Sequence, residues 1–120
     1  MFYKIFSELS INFHGWFVEG RPIATAKRND NVTAKITLSW GKTGIYSIRI
    51  RRDIARVNDE TITALQFIYD GKEATKQITF IPLWVTGESG THGFHIDILK
   101  DTDIVWTMAQ TYPPRLRVKK

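Results

Sequence analysis

The chain has 120 residues, no cysteine and a formal charge of +5, with 42% hydrophobic and 24% charged residues. This length suits one domain with its own core, and the absence of cysteine excludes disulfides, thiolate nucleophiles and sulfur-ligated zinc. No apolar run reaches the roughly 20 residues of a membrane span, and the first residues lack the pattern of a signal peptide, so the location stays open, with virion or cytoplasm as the default expectation.

The sequence is rich in residues that favour strands, since it holds thirteen threonines and fifteen isoleucines. Residues 2–9 are ambiguous, because apolar residues recur there at helical spacing, and both a short helix and a strand are open. Residues 9–17 then predict a first clear strand.

The next two predicted strands alternate cleanly between apolar and polar residues. In Val32–Trp40 the apolar set, including Trp40, is predicted to face the core. A turn bounded by Gly41 and Gly44 follows, and Ile45–Arg52 alternates again. Two alternating strands joined by a short glycine-bounded turn predict a hairpin.

The second half of the chain predicts four more strands. Thr61–Tyr69 is apolar on both faces, which indicates either full burial or a β-bulge. Gln77–Val85 is interrupted by Pro82, which is expected at an edge, a bulge or a strand end. Phe94–Ile98 and Ile104–Met108 follow on either side of an acidic turn, which brings the total to about seven strands.

This succession of strands and turns resembles the immunoglobulin-type β-sandwich, over Asp30–Asp53 and Thr61–Trp106. The predicted fold is all-β, an antiparallel β-sandwich (immunoglobulin-like) of about seven or eight strands, with a small barrel as the alternative. The cysteine pair of antibody-type domains is absent. The resemblance implies binding, adhesion or structural work within an assembly.

One cluster has the residue types of a metal or hydrolytic site. His95 and Asp97 lie two apart on a predicted strand and therefore share a face, and His92 precedes them on a predicted loop. Two imidazoles and a carboxylate suit zinc or another divalent ion, and His14 is a further ligand only if the fold brings it near. The simpler interpretation places His95 and Asp97 on the solvent face of an amphipathic strand. We expect no resident metal, no cofactor and no catalytic residue.

Arg49, Arg51 and Arg52 give a first candidate binding surface on the third predicted strand. Basic strand faces with nearby aromatic side chains are how small β domains hold single-stranded nucleic acid. The alternative is that these arginines lie on an edge strand and pair with acids such as Asp53.

The C-terminal tail gives a second candidate binding surface. It spans residues 115–120 after a domain of residues 1–114, and its basic residues alternate with Leu116 and Val118 in the pattern of a strand. Without its four bases the chain has thirteen bases and twelve acids, so the domain itself is nearly neutral. The four bases are Arg115, Arg117, Lys119 and Lys120.

Together these features predict a non-enzymatic structural or interaction module within a larger assembly, such as a virion or phage component or a surface-adhesion domain. We expect a protein partner or a second copy of the chain. A single-stranded nucleic-acid-binding domain is the alternative, and a small metal or hydrolytic site around His92, His95 and Asp97 is the third hypothesis.

Overall fold

The computed structural model describes residues 9–108 and 115–120, so most of the question about residues 2–9 lies outside the described residues. Within this part of the chain there is no helix of the length and hydropathy that a membrane crossing requires. A 3-10 turn occurs at Glu88–Gly90. The strands, in chain order, are β1 Ser10–Val18, β2 Arg21–Ile23, β3 Thr25–Lys27, β4 Val32–Ser39, β5 Gly44–Ile54, β6 Glu60–Tyr69, β7 Ala74–Phe80, β8 Thr91–Lys100, β9 Asp103–Thr107 and β10 Arg117–Lys119.

The main strands form two antiparallel sheets of four. The first sheet has the order β2-β1-β4-β7, and the second has the order β6-β5-β8-β9. Both remain open over the described residues, so the prediction of an all-β, sandwich-like antiparallel fold is confirmed and the small barrel is not observed. A third, two-stranded sheet joins β3 and β10 in parallel.

Alternate residues of the central strands fill the core between the two sheets. Burying each aliphatic side chain contributes about 1.5–3 kcal/mol relative to exposing it. Two aromatic contacts extend this packing, since Trp16 meets Phe80 edge-on at 6.1 Å and Phe80 meets Phe94 at 5.5 Å between ring centroids. The fully buried aliphatic side chains include Ile36, Leu38, Ile48, Ile50, Ile96 and Ile98.

The connection between β4 and β5 is not the predicted hairpin. β4 pairs with β1 and β7, whereas β5 pairs with β6 and β8, so residues 40–43 cross from one sheet to the other. Trp40 begins this crossing in a left-handed conformation (φ 66°) and is 71% exposed, so its predicted core position is wrong. Alternation shows which face a residue takes within a strand but not where the strand ends, and β4 ends at Ser39.

Two segments depart from regular strand pairing. The β5–β6 pairing shifts by one residue between Ile50 and Arg51, so the predicted bulge is present with Ile62 as its extra residue, while Ala64 and Ile68 lie on the outward face. The strand around Gln77 is shorter than predicted and shifted toward the N-terminus, because β7 ends two residues before Pro82.

The C-terminal segment is part of the fold. Leu116 and Phe94 exchange two backbone hydrogen bonds of 2.8 and 2.9 Å, and β10 then pairs with β3. Leu116 and Val118 are buried, while Arg117 and Lys119 are exposed. Gly93 permits this close approach, since a Cβ there would lie 2.8 Å from the Leu116 carbonyl oxygen and φ is +150°.

Candidate functional site

The most concentrated group of ionisable side chains lies on the face of the second sheet that points away from the core. Period-two alternation along β5 places Arg49, Arg51 and Asp53 on this face, since Ile48 and Ile50 face the core. β8 lies alongside and presents its own alternate residues there. We call the set the charge cluster: Arg49, Arg51, Asp53, His95, Asp97 and Arg115.

The imidazole of His95 is the centre of the charge cluster. Its Nδ1 lies 2.5 Å from the Asp53 carboxylate and its Nε2 lies 3.3 Å from the Asp97 carboxylate. The side chain is only 2% exposed. The ring therefore bridges two carboxylates in a site that excludes water.

Arginine side chains also contact both carboxylates. Asp97 accepts a 2.9 Å hydrogen bond from Arg49 Nε and lies 3.5 Å from the guanidinium of Arg51. The far oxygen of Asp53 accepts a 2.9 Å hydrogen bond from Arg115, which precedes β10. The charge cluster thus ties the C-terminal segment to the central strands.

These contacts set the protonation states. Burial alone lowers the pKa of a histidine, but the hydrogen bonds and negative charges of Asp53 and Asp97 outweigh burial and raise the pKa of His95 from 6.5 to about 9. Burial likewise opposes ionisation of Asp97, yet hydrogen bonds from His95 and Thr107 lower its pKa below the ordinary 3.8. The pKa of Asp53 is lowered as well, because the hydrogen bonds of His95 and Arg115 outweigh burial, which alone would raise it. At neutral pH the ring carries a proton and both carboxylates are ionised.

A resident metal ion fits this arrangement poorly. Donor atoms of Asp53, Asp59 and His95 lie within 4.8 Å of one another, which is the spacing of a possible ligand set. However, Asp53 already contacts His95 and Arg115, and Asp59 Oδ1 accepts the backbone amide of Ile54 at 3.1 Å. A metal would have to displace a proton that His95 holds with a pKa of about 9.

The three residues of the predicted metal or hydrolytic site do not form one group. His95 and Asp97 are adjacent, but both are buried, so the interpretation that placed them on a solvent face is wrong. His92 is exposed and lies within β8 rather than on a loop, as the extra residue of a bulge opposite Asp53 and Ile54. His14 lies on β1 of the other sheet, where its Nε2 is 2.6 Å from Thr37 Oγ1.

The arginines of β5 occupy two different environments. Arg49 and Arg51 belong to the charge cluster, and their side chains are only 21% and 22% exposed. Arg52 is buried on the opposite face, with its guanidinium carbon 3.9 Å from the ring centroid of Trp84. β5 is an interior strand of its sheet, so the expectation of an edge strand is wrong. Arg52 also contacts Glu60 at 3.0 Å and Thr91 at 3.0 Å.

The two-stranded sheet of β3 and β10 carries the most exposed basic surface of the C-terminal segment. Their parallel register places Lys119 directly beside Lys27 and Arg117 beside Thr25, and all four residues are exposed. Neighbouring strands lie about 4.8 Å apart, so the two lysine backbones adjoin. Lys27, Arg117, Lys119 and Lys120 make no ion pair with any residue that the structure describes. We call this surface the basic ribbon: Thr25, Lys27, Arg117, Lys119 and Lys120.

Sequence reasoning missed two members of these sites. Asp53 was recognised only as a possible salt-bridge partner, although it lies two residues after Arg51 and period two places both on one face. Trp84 lies within the predicted strand Gln77–Val85 but beyond the end of β7, and its contact with Arg52 joins segments 32 residues apart. No local signal marks such a contact.

The chain matches no protein-family model, and no curated protein is similar to it. Among solved structures it is similar to part of a β-glucosidase from Listeria innocua, whose crystal structure was determined in complex with gluconolactone. The TM-score is 0.49 and the identity is 9%, over 99% of this chain and 17% of that enzyme. The chain therefore spans about a sixth of the enzyme's length, and a likeness at this level carries no functional argument.

Proposed function

We propose that the chain is a non-enzymatic interaction module that binds an acidic protein surface through the basic ribbon. The observation that carries this proposal is the placement of Lys119 beside Lys27, with both side chains exposed. Adjacent like charges repel each other in the free chain. An acidic partner surface is attracted to both of them and offsets this repulsion. A component of a larger assembly, such as a virion or a cell surface, is the setting in which we expect such a module.

The charge cluster supports a structural rather than a catalytic role. A general base must be able to accept a proton at the working pH, but His95 already holds one with a pKa of about 9. Asp53 and Asp97 are each held by a cation and are almost fully buried, so a substrate has no access to them.

An acidic protein surface is favoured over single-stranded nucleic acid by the make-up of the basic ribbon. Single strands are held by basic grooves together with aromatic side chains on which the bases stack. The basic ribbon contains lysine, arginine and threonine but no aromatic residue. Arg49 and Arg51, which the nucleic-acid hypothesis used, are engaged with Asp97.

The test is a binding titration with polyglutamate, and with oligothymidine at matched salt as the competing probe. We expect salt-sensitive binding of polyglutamate that weakens roughly tenfold in Lys119→Glu, because an attractive charge becomes repulsive. Lys72→Glu, at an exposed turn between β6 and β7, has the same charge change and should leave binding nearly unaltered. Tighter binding of oligothymidine, or equal effects of the two substitutions, would contradict the proposal.

A further inference from the structure

β6 is a long edge strand with one unpaired side. Its ten residues pair with β5, and no other described strand lies beside it in the sheet. An unpaired edge offers a row of free amide and carbonyl groups to another strand, and most natural proteins protect such edges.

The other edges of the two sheets carry such protection and β6 does not. β2 has three residues, one of which is Pro22, and β9 has five residues. β7 carries Lys76 as the third of its seven residues. β6 has no proline, glycine or lysine, and its single charged residue, Glu60, is at its first position.

The outward side chains of β6 are also apolar at one end. Ile68 is 84% exposed, and its register partner Ile45 on β5 is 47% exposed. They form an apolar pair beside the open edge. Such a pair beside free backbone groups favours the addition of a further strand.

We propose that a second copy of the chain pairs its β6 antiparallel with this β6 about a two-fold axis, which joins the two second sheets into one sheet of eight strands. The observation that selects a second copy is the complementarity of side-chain size along β6 itself. A two-fold contact places the same surface on both sides, so β6 must complement its own reverse.

One register satisfies this condition. Residues opposite each other must point to the same face, and the outward residues of β6 after its bulge at Ile62 are Ala64, Gln66 and Ile68. If Gln66 pairs with the partner's Gln66, then Ala64 lies opposite the partner's Ile68. The two-fold axis repeats this pair, so a small side chain faces a large one at both positions. A register centred on Ala64 would instead set Gln66 against the partner's Ile62, the extra residue of the bulge, where regular pairing is interrupted.

The absence of cysteine makes the register directly testable. Opposite residues of antiparallel strands have Cα atoms about 4.5–5.5 Å apart, within the range that a disulfide spans. We expect Gln66→Cys to form a disulfide-linked dimer on mild oxidation. The control is Val57→Cys, which is 63% exposed in the turn before β6 and should cross-link roughly tenfold more slowly, because no contact holds its thiols together.

Sedimentation of the unaltered chain over a range of concentrations provides the second measurement. We expect a monomer–dimer equilibrium whose dissociation constant rises roughly tenfold or more in Ile68→Lys, because two buried isoleucines are lost per dimer. Val57→Lys should leave the constant unchanged, and circular dichroism checks that both variants fold. A chain that stays monomeric without preferential Gln66→Cys cross-linking overturns the proposal, and so does a dimer that is indifferent to both β6 variants. Polyglutamate binding is independent of either outcome, since the basic ribbon does not include β6.

Discussion

Replacing His95 by glutamine should remove a pH dependence of folding stability that the charge cluster creates. Glutamine is similar in length and can donate a hydrogen bond to a carboxylate, but it carries no charge at any pH. The pKa of His95 is 6.5 in an ordinary environment and about 9 in the fold. Each tenfold change in proton affinity is about 1.4 kcal/mol, so the bound proton stabilises the folded state by about 3 kcal/mol.

The sign of the effect follows from the raised pKa. The folded chain binds the proton more tightly than the unfolded chain, so the stabilisation is complete below pH 6.5 and is lost as the pH rises from 6.5 through about 9. The pKa values of Asp53 and Asp97 are lowered from 3.8, so these groups change stability only in acid, outside this window.

Urea denaturation between pH 6 and pH 10 measures the effect. We expect the wild-type free energy of unfolding to fall by about 3 kcal/mol across the window and that of His95→Gln to change far less, so that the two curves converge at alkaline pH. The matched control is His92→Gln, an exposed histidine on the same strand, which should keep the wild-type slope. Parallel curves for the wild type and His95→Gln would refute the assignment of a protonated bridging imidazole.

Three further substitutions test the packing of the fold by chemical denaturation. Leu116→Ala should cost about 2–5 kcal/mol because the side chain is fully buried, whereas Arg117→Ala, exposed on the next position, should change stability by less than about 0.5 kcal/mol. Gly93→Ala should lower the free energy of unfolding clearly more than Gly87→Ala. Both glycines have positive φ, which costs about 1 kcal/mol, but only at Gly93 would the new Cβ meet a backbone oxygen, that of Leu116 at 2.8 Å. Trp40→Ala should cost less than about 0.5 kcal/mol, since the ring is 71% exposed, and a cost of several kcal/mol would mean that it packs in the core.

The fold class was predictable because it depends on a local pattern. Along β4 and β5 the side chains alternate with period two, and one apolar face per strand is enough to specify an antiparallel sheet with a core on one side. The pairing of these strands was not predictable in the same way. The turn between them resembles a hairpin turn, and only the partners of each strand in space show that it crosses between sheets.

For the C-terminal strand, too, the sequence predicted the strand but not its pairing partner. The alternation of bases with Leu116 and Val118 predicted a strand, and β10 is one. Its partner, β3, lies about 90 residues earlier in a segment too short to be recognised as a strand from its sequence. The basic ribbon exists only because this pairing sets Lys119 beside Lys27.

By itself the sequence determined the alternation that places Arg49 with Arg51 and His95 with Asp97, and the concentration of positive charge at the end of the chain. Tertiary structure decided their environment. His95 and Asp97 look like solvent-facing residues in sequence, since alternation predicts only the side of a sheet and not whether that side is covered. They are buried, with Arg49 and Arg51 of β5 against Asp97, and the carboxylates of Asp53 and Asp97 outweigh burial and make His95 a cation at neutral pH.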